Sequence, residues 1–247
     1  MLSGLFQGDM DFDIFSELAD EAGLYIMQEK DQTKAKAAGE PEEVYEHISY
    51  EIYAPVCSDR DFVREYLDCG ILKAMIEERE AKILAPANWE GPVNEYVLLG
   101  ACAMTLGCQL PDSYLVMLKL LYTECMLFRD GREQMKKALF GPDGFENGVP
   151  YDFESKDLVE RANAISEEIC EHDEDEYTYD RSPSMIIKEL RDKHSNPNAC
   201  VGCGVKAENK DTTHFTCDRC NDRMYCSKKC QVDHWRVHKK ICKAMRQ

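Results

Sequence analysis

The chain has 247 residues, 44% of them hydrophobic and 31% charged, proportions of a globular protein with room for one ordinary domain and a small module, which exclude a disordered or fibrous chain. Its 30 Lys and Arg stand against 47 Asp and Glu, a net charge of −17 that works against polyanionic ligands by plain repulsion. The longest apolar run, 96–110, is interrupted by Gly100, Thr105, Gly107 and Gln109 and is too short to span a bilayer, and the opening MLSGLFQGDMDFDIF lacks the basic start of a signal or transit segment. A protein of cytosol or nucleus, with no membrane span, is expected.

Residues 12–29 place Ile14, Phe15, Leu18, Ala22, Tyr25 and Ile26 three and four apart, which predicts an amphipathic helix. The polar DQTKAKAAGEPEE that follows reads as a linker, and Pro41, suited to a first helical turn, opens a helix to about residue 53 that Pro55 ends. Asp59 or Asp61 caps a helix carrying Phe62, Val63, Tyr66 and Leu67, and Gly70 either closes it or bends it into Ile71, Leu72, Met75 and Ile76. Gly91 and Pro92 begin a helix through residue 104. Pro111 and Asp112 begin another, whose 114–121 stretch is apolar nearly all round and so central to the core, and a shorter helix covers 132–140.

The turn-rich GPDGFENGVP at 141–150 reads as a loop. Residues 153–170 predict a helix with Leu158, Ala162 and Ile165 on one face, the acidic 171–180 a solvated loop, and 183–193 a last short helix turning Ile186, Ile187 and Leu190 inward. No strand alternation occurs before residue 200. The expected architecture is mainly α: an irregular or armadillo-like helical domain over 1–195, without a repeat of fixed period, and a small finger over 196–247.

Six of the thirteen cysteines, Cys57, Cys69, Cys102, Cys108, Cys125 and Cys170, are scattered through apolar or helix-like segments and read as buried reduced thiols. The other seven crowd into 200–242: Cys200-x2-Cys203, Cys217-x2-Cys220, Cys226-x3-Cys230 and His238-x3-Cys242. A Cys-x2-Cys pair suits a tight knuckle whose sulfurs reach one ion, and residues four apart on a helix project to one side. Thiolate and imidazole suit Zn²⁺, which takes four ligands in structural sites, so eight ligands make two complete sets and two zincs per chain. A closed set leaves no position for a reactive water, so the ions would hold the fold. His234 and His214 are then surplus to the ligand count, and His47, His172 and His194 lie elsewhere in the chain.

Residues 200–247 carry 11 Lys and Arg against 5 Asp and Glu, which puts this tail at +6 and the chain before it at −23. Two Zn²⁺ add four positive charges and seven thiolates remove seven, leaving about +3, so the argument for a nucleic-acid patch weakens. Lys228, Lys229, Lys239, Lys240 and Lys243 read as a solvated face, with an acidic partner or the acidic body of the same chain as alternatives.

The stretch CDRCNDRMYCSKKCQVDHWRVHKKIC, residues 217–242, resembles the MYND finger family in its Tyr-Cys-Ser-x-x-Cys-Gln core, its Trp235 and its His-Lys-Lys-x-Cys end. The resemblance implies alternating sites, one from Cys200, Cys203, Cys226 and Cys230 and the other from Cys217, Cys220, His238 and Cys242, with a longer than usual loop around 207–213. It also implies a protein-interaction module that takes a short proline-containing peptide at Ser227, Gln231 and Trp235. Gln231 and Trp235, four apart, would offer an amide and an indole on one helical face, suited to a peptide backbone and a proline ring; the alternative is that Trp235 packs beneath the helix.

Some MYND proteins are lysine methyltransferases, and His194-Ser195-Asn196-Pro197-Asn198 faintly resembles a motif of that domain. It lacks the internal cysteine and the Gly-rich cofactor elements, and only five residues follow Cys242. Nucleotide-binding loops, a nucleophile elbow and HExxH are absent as well. The expectation is therefore a binding adaptor and no enzyme. The alternatives are a nucleic-acid-associated regulator using the basic tail, or an enzyme in the helical domain.

Overall fold

The computed structural model describes residues 5–6, 9–85, 91–153, 184–206 and 214–245. The apolar spacing over 12–29 builds two helices, α1 (Asp9–Glu21) and α2 (Leu24–Ala37), because Gly23 takes the left-handed conformation (φ 76°) and turns the chain between them. α2 then continues through the Lys-Ala-Lys-Ala stretch expected to be a linker, whose alanine and straight-chain residues are strong helix formers. The helix expected from Pro41 to residue 53 is only α3 (Glu42–Glu46). Beyond it the backbone is taken up by side chains: Ser49 N–H donates to Ser58 Oγ (2.9 Å), Tyr50 N–H to Gln28 Oε1 (2.9 Å) and Ala54 N–H to Thr105 Oγ1 (3.3 Å).

Asp59 caps α4 (Arg60–Tyr66), its carboxylate accepting from Phe62 N–H at 3.0 Å. Gly70 lies in the wide turn that bends the chain into α5 (Leu72–Leu84). Then come α6 (Gly91–Leu106), α7 (Asp112–Leu121) and α8 (Arg129–Phe140). The helix expected over 153–170 and the acidic loop over 171–180 fall almost wholly outside the described residues, which resume before α9 (Met185–Ser195). Two short strands, β1 (Phe215–Thr216) and β2 (Met224–Tyr225), pair antiparallel, and α10 (Lys228–Ala244) follows. No described helix is long and apolar enough to cross a membrane.

α6 is the enclosed centre. It packs against α1, α4, α5 and α7 and buries Tyr96, Val97, Leu98, Leu99, Ala101, Cys102, Ala103, Met104 and Leu106. α7, expected to hold that place, fully buries only Tyr114, Leu118, Leu120 and Leu121, and it owes its apolar circumference to a second neighbour, α10. Contacts between α1 and α6 and between α5 and α9 join elements far apart in sequence, whereas a stacked repeat touches only its neighbours; the described helices form an irregular array around α6. Arg79 of α5, 3% exposed, locks it: the guanidinium forks onto both carboxylate oxygens of Glu21 on α1 (2.8 and 2.5 Å), and its Nε lies 3.5 Å from Glu95 on α6.

The C-terminal helix joins this core. Ile241 and Ala244 of α10 are buried in the same apolar cluster as residues of α1, α2 and α4 to α9, with Val237 and Met245 packed against it, and α10 rests on α7 and α9. Ile241→Ala is therefore expected to destabilise the whole helical array, by about 2–5 kcal/mol. Urea unfolding of the full-length, zinc-replete protein followed by far-UV circular dichroism checks this, and an unchanged midpoint would contradict the shared core.

Candidate metal centre

Each Cys-x2-Cys pair is closed by the same turn. Gly204 N–H donates to Cys200 O (2.7 Å) and Asn221 N–H to Cys217 O (2.8 Å). The residue after each pair is left-handed, Gly204 at φ 77° and Asn221 at φ 53°, and glycine and asparagine are the residues that reach this region at least cost. The first knuckle is seated by Val201 N–H on Met224 O of β2 (3.0 Å). It leaves no room at Gly202, where a Cβ would come within 2.9 Å of both Cys230 Cβ and Cys230 O. Cys226 follows β2, and Ser227 caps α10, its hydroxyl accepting from Cys230 N–H (3.2 Å). Cys230, His238 and Cys242 all stand on α10.

These elements bring together two groups, Cys200, Cys203, Cys226 and Cys230 in one and Cys217, Cys220, His238 and Cys242 in the other, with the ligand atoms of each group within 4.8 Å of one another. In the first, Cys203 Sγ lies 3.5 Å and Cys230 Sγ 3.6 Å from Cys226 Sγ. In the second, Cys217 and Cys242 sulfurs are 4.0 Å apart, and Cys220 Sγ is 3.7 Å from His238 Nε2. Zn–S bonds of about 2.3 Å make the edge of a tetrahedron about 3.8 Å, so both groups fit a divalent zinc-sized ion.

The local electrostatics agree with the donor chemistry. Burial, helped by Arg223 and His234, lowers His238 to about 4, which keeps the imidazole neutral at neutral pH, the form that ligates metal. Burial alone raises the Cys200 thiol, but backbone N–H groups of Cys226, Gly202 and Cys203 outweigh it and bring it down to about 7. The neighbouring thiols, Cys203 first, push Cys226 up to about 12, and burial pushes Cys242 up to about 11. Thiols this crowded resist ionising together, and a dication supplies the charge that lets all of them do so.

A buried polar joint fastens the second group to the helical array. Glu189 of α9 receives Arg223 Nε at 2.5 Å, both side chains being about 5% exposed or less, and faces His234 Nε2 at 3.7 Å. His234 shares its Nδ1 with the buried Tyr225 hydroxyl (3.2 Å) and belongs to neither ligand group. His214 Nε2 pairs with Val205 O, His47 with the Glu43 carbonyl, and His194 is exposed on α9. His172, Cys170 and the loop 207–213 lie outside the described residues. Cys57, Cys102, Cys108 and Cys125 are buried free thiols, whereas Cys69 is exposed.

Beside the second group a groove of about 360 Å³ runs along α10, lined by Cys217, Asp218, Arg219, Lys228, Gln231, Val232 and Trp235. Trp235 is 38% exposed and does not pack beneath the helix. Of the three residues linked to peptide binding by resemblance, Gln231 and Trp235 line the groove, whereas Ser227 does not and spends its oxygen on the helix cap. Two further residues join them: Arg219, whose guanidinium sits 5.5 Å over the Trp235 ring, and Lys228, expected on a solvated face, whose ammonium donates to Gln231 Oε1 at 2.8 Å. The stripe Lys228, Gln231, Val232, Trp235 at helical spacing was the available signal for Lys228 and Val232; Arg219 comes from the second knuckle.

Residues 200–242 match the family model described as the MYND finger, so the mainly helical chain carries a finger of this kind, which is commonly a zinc-binding protein-interaction module. No solved structure matches the chain.

Gly202→Ala is expected to push the first knuckle off Cys230 and to weaken metal binding at the four-cysteine group on the order of tenfold, leaving the Cys217 group intact. Competition with a chromophoric chelator reads this as one weakened equivalent; two unchanged equivalents would show that the close packing at Gly202 does not position the ligands.

Proposed function

We propose that the protein is an adaptor that holds two Zn²⁺, one in each ligand group, and uses the groove beside Gln231 and Trp235 to take a short proline-containing peptide. The observation that carries this reading is the half-open indole in the groove wall, on the same helix as three of the eight metal ligands. A bound zinc supplies structural cross-linking here. Four protein donors would complete each coordination sphere, so the zincs would hold the surface the chain presents and not activate a water.

The chain's own residues then divide the work. Ser227 and the Cys230, His238 and Cys242 side chains fix the start and course of α10. Arg219 holds the Trp235 ring from one face, and Lys228 orients the Gln231 amide. An indole and an amide presented side by side suit a proline ring and the peptide group next to it. A surface held this way loses little side-chain freedom on binding.

Metal analysis of reduced full-length protein is expected to give about two zincs per chain, and about one after Cys217→Ser; metal-free reduced protein would end the zinc reading. Trp235→Ala is expected to weaken capture of proline-containing peptides by about 30-fold, as for a central aromatic anchor, with zinc content unchanged. Equal capture by the variant would rule out the groove.

A further inference from the structure

The groove carries charge as well as an indole. Lys228, Gln231, Val232, Trp235 and Lys239 fall three, four or eleven positions apart on α10 and share one face of it. Arg219 stands on the opposite wall over the indole. Lys228, Arg219 and Lys239 are all exposed, and so is Asp218, the one carboxylate among the lining residues. Asp233, the acidic residue within α10, points well away from this stripe at 100° per residue. The apolar centre, Val232 and Trp235, thus has a cation at each end and a third beside it.

We propose that the groove selects acidic ligands: an extended peptide whose proline rests on Trp235 and whose carboxylates, one on each side, meet Lys228 at one end and Lys239 at the other, with Arg219 strengthening the charge at the centre. This rests on the peptide reading given above and adds the chemistry that picks one proline segment from another. The spacing follows from the helix. Eleven residues separate Lys228 from Lys239, about 17 Å along the axis, which an extended chain covers in about five residues. The two carboxylates are therefore about five positions apart, with the proline between them. A nucleic acid would meet the same cations, but it would also bring a phosphate chain past Asp218 and towards a protein of net charge −17, whereas a short peptide brings only the two charges that have partners.

The test uses full-length, zinc-replete protein and a library of dodecapeptides with proline fixed at the centre and every other position random. Selected peptides are expected to carry Asp or Glu on both sides of the proline, about five positions apart. Chosen acidic peptides should bind about tenfold more tightly than their Gln counterparts at low salt, and the gap should close as salt rises. Lys239→Gln should remove the preference on one side of the proline only, with affinity for the Gln counterparts retained, and Lys228→Gln should remove it on the other side only, a pattern that misfolding would not produce. Proline peptides bound through Trp235 without acidic enrichment would overturn the inference and leave the peptide reading standing. Failure to bind any library member would overturn both. Binding of a twelve-nucleotide oligothymidylate through Trp235 in preference to the acidic peptides would overturn the inference in favour of nucleic acid.

Discussion

One helix is committed to three tasks. At 100° per residue, Val237, Ile241 and Ala244 of α10, with Met245 just after it, turn to the apolar core, and Lys228, Gln231, Val232 and Trp235 turn to the groove on another side. The ligands Cys230, His238 and Cys242 are spread over the arc that runs from the first side to the second. The helix cannot rotate to improve one contact without spoiling another, and its pitch is fixed from outside by α7 and α9 and from within by Ser227 at its start. The groove depends on this constraint, since neither Gln231 nor Trp235 is fully buried and both take their places from the helix that carries them.

α9 is the bracket that transmits this order. Arg191 Nε donates to Ile83 O at the end of α5 (2.8 Å), and Lys193 Nζ donates to Asp222 O in the second knuckle (2.6 Å). Just before them on α9, Glu189 meets Arg223 in a site where both side chains are buried. Removing one member of such a buried pair strands the other, so the pair specifies how α9 and the finger sit together more than it adds to net stability.

The ligands were legible because spacing states them directly: paired cysteines three apart, and a histidine and a cysteine four apart, have few other uses. Helix positions were legible where periodicity was strong, as in α9, and where start residues opened an apolar run, as in α6. What escaped was decided by tertiary partners. The break at Gly23 interrupts a continuous apolar pattern, and only its left-handed backbone reveals it. Residues 49–54 leave the helix because Ser58, Gln28 and Thr105 offer their backbone other partners. The uniform apolarity of α7 suggested a central helix, although it arises from contact with α6 on one side and α10 on the other. Arg219 could not be placed at the groove from spacing, because it approaches from a knuckle that lies sixteen residues before Trp235 in the sequence.

The ligand groups also interleave along the chain, and this bears on how the finger assembles. Joining the first group closes the chain from Cys200 to Cys230, and joining the second closes it from Cys217 to Cys242, so the two loops overlap from 217 to 230. Whichever group closes first fixes part of the segment the other must span, and the conformational entropy lost at the second closure is smaller. Ordering of the two centres is thus linked through the unfolded chain as well as through contacts in the folded one, and a cut within the shared segment would open both loops at once.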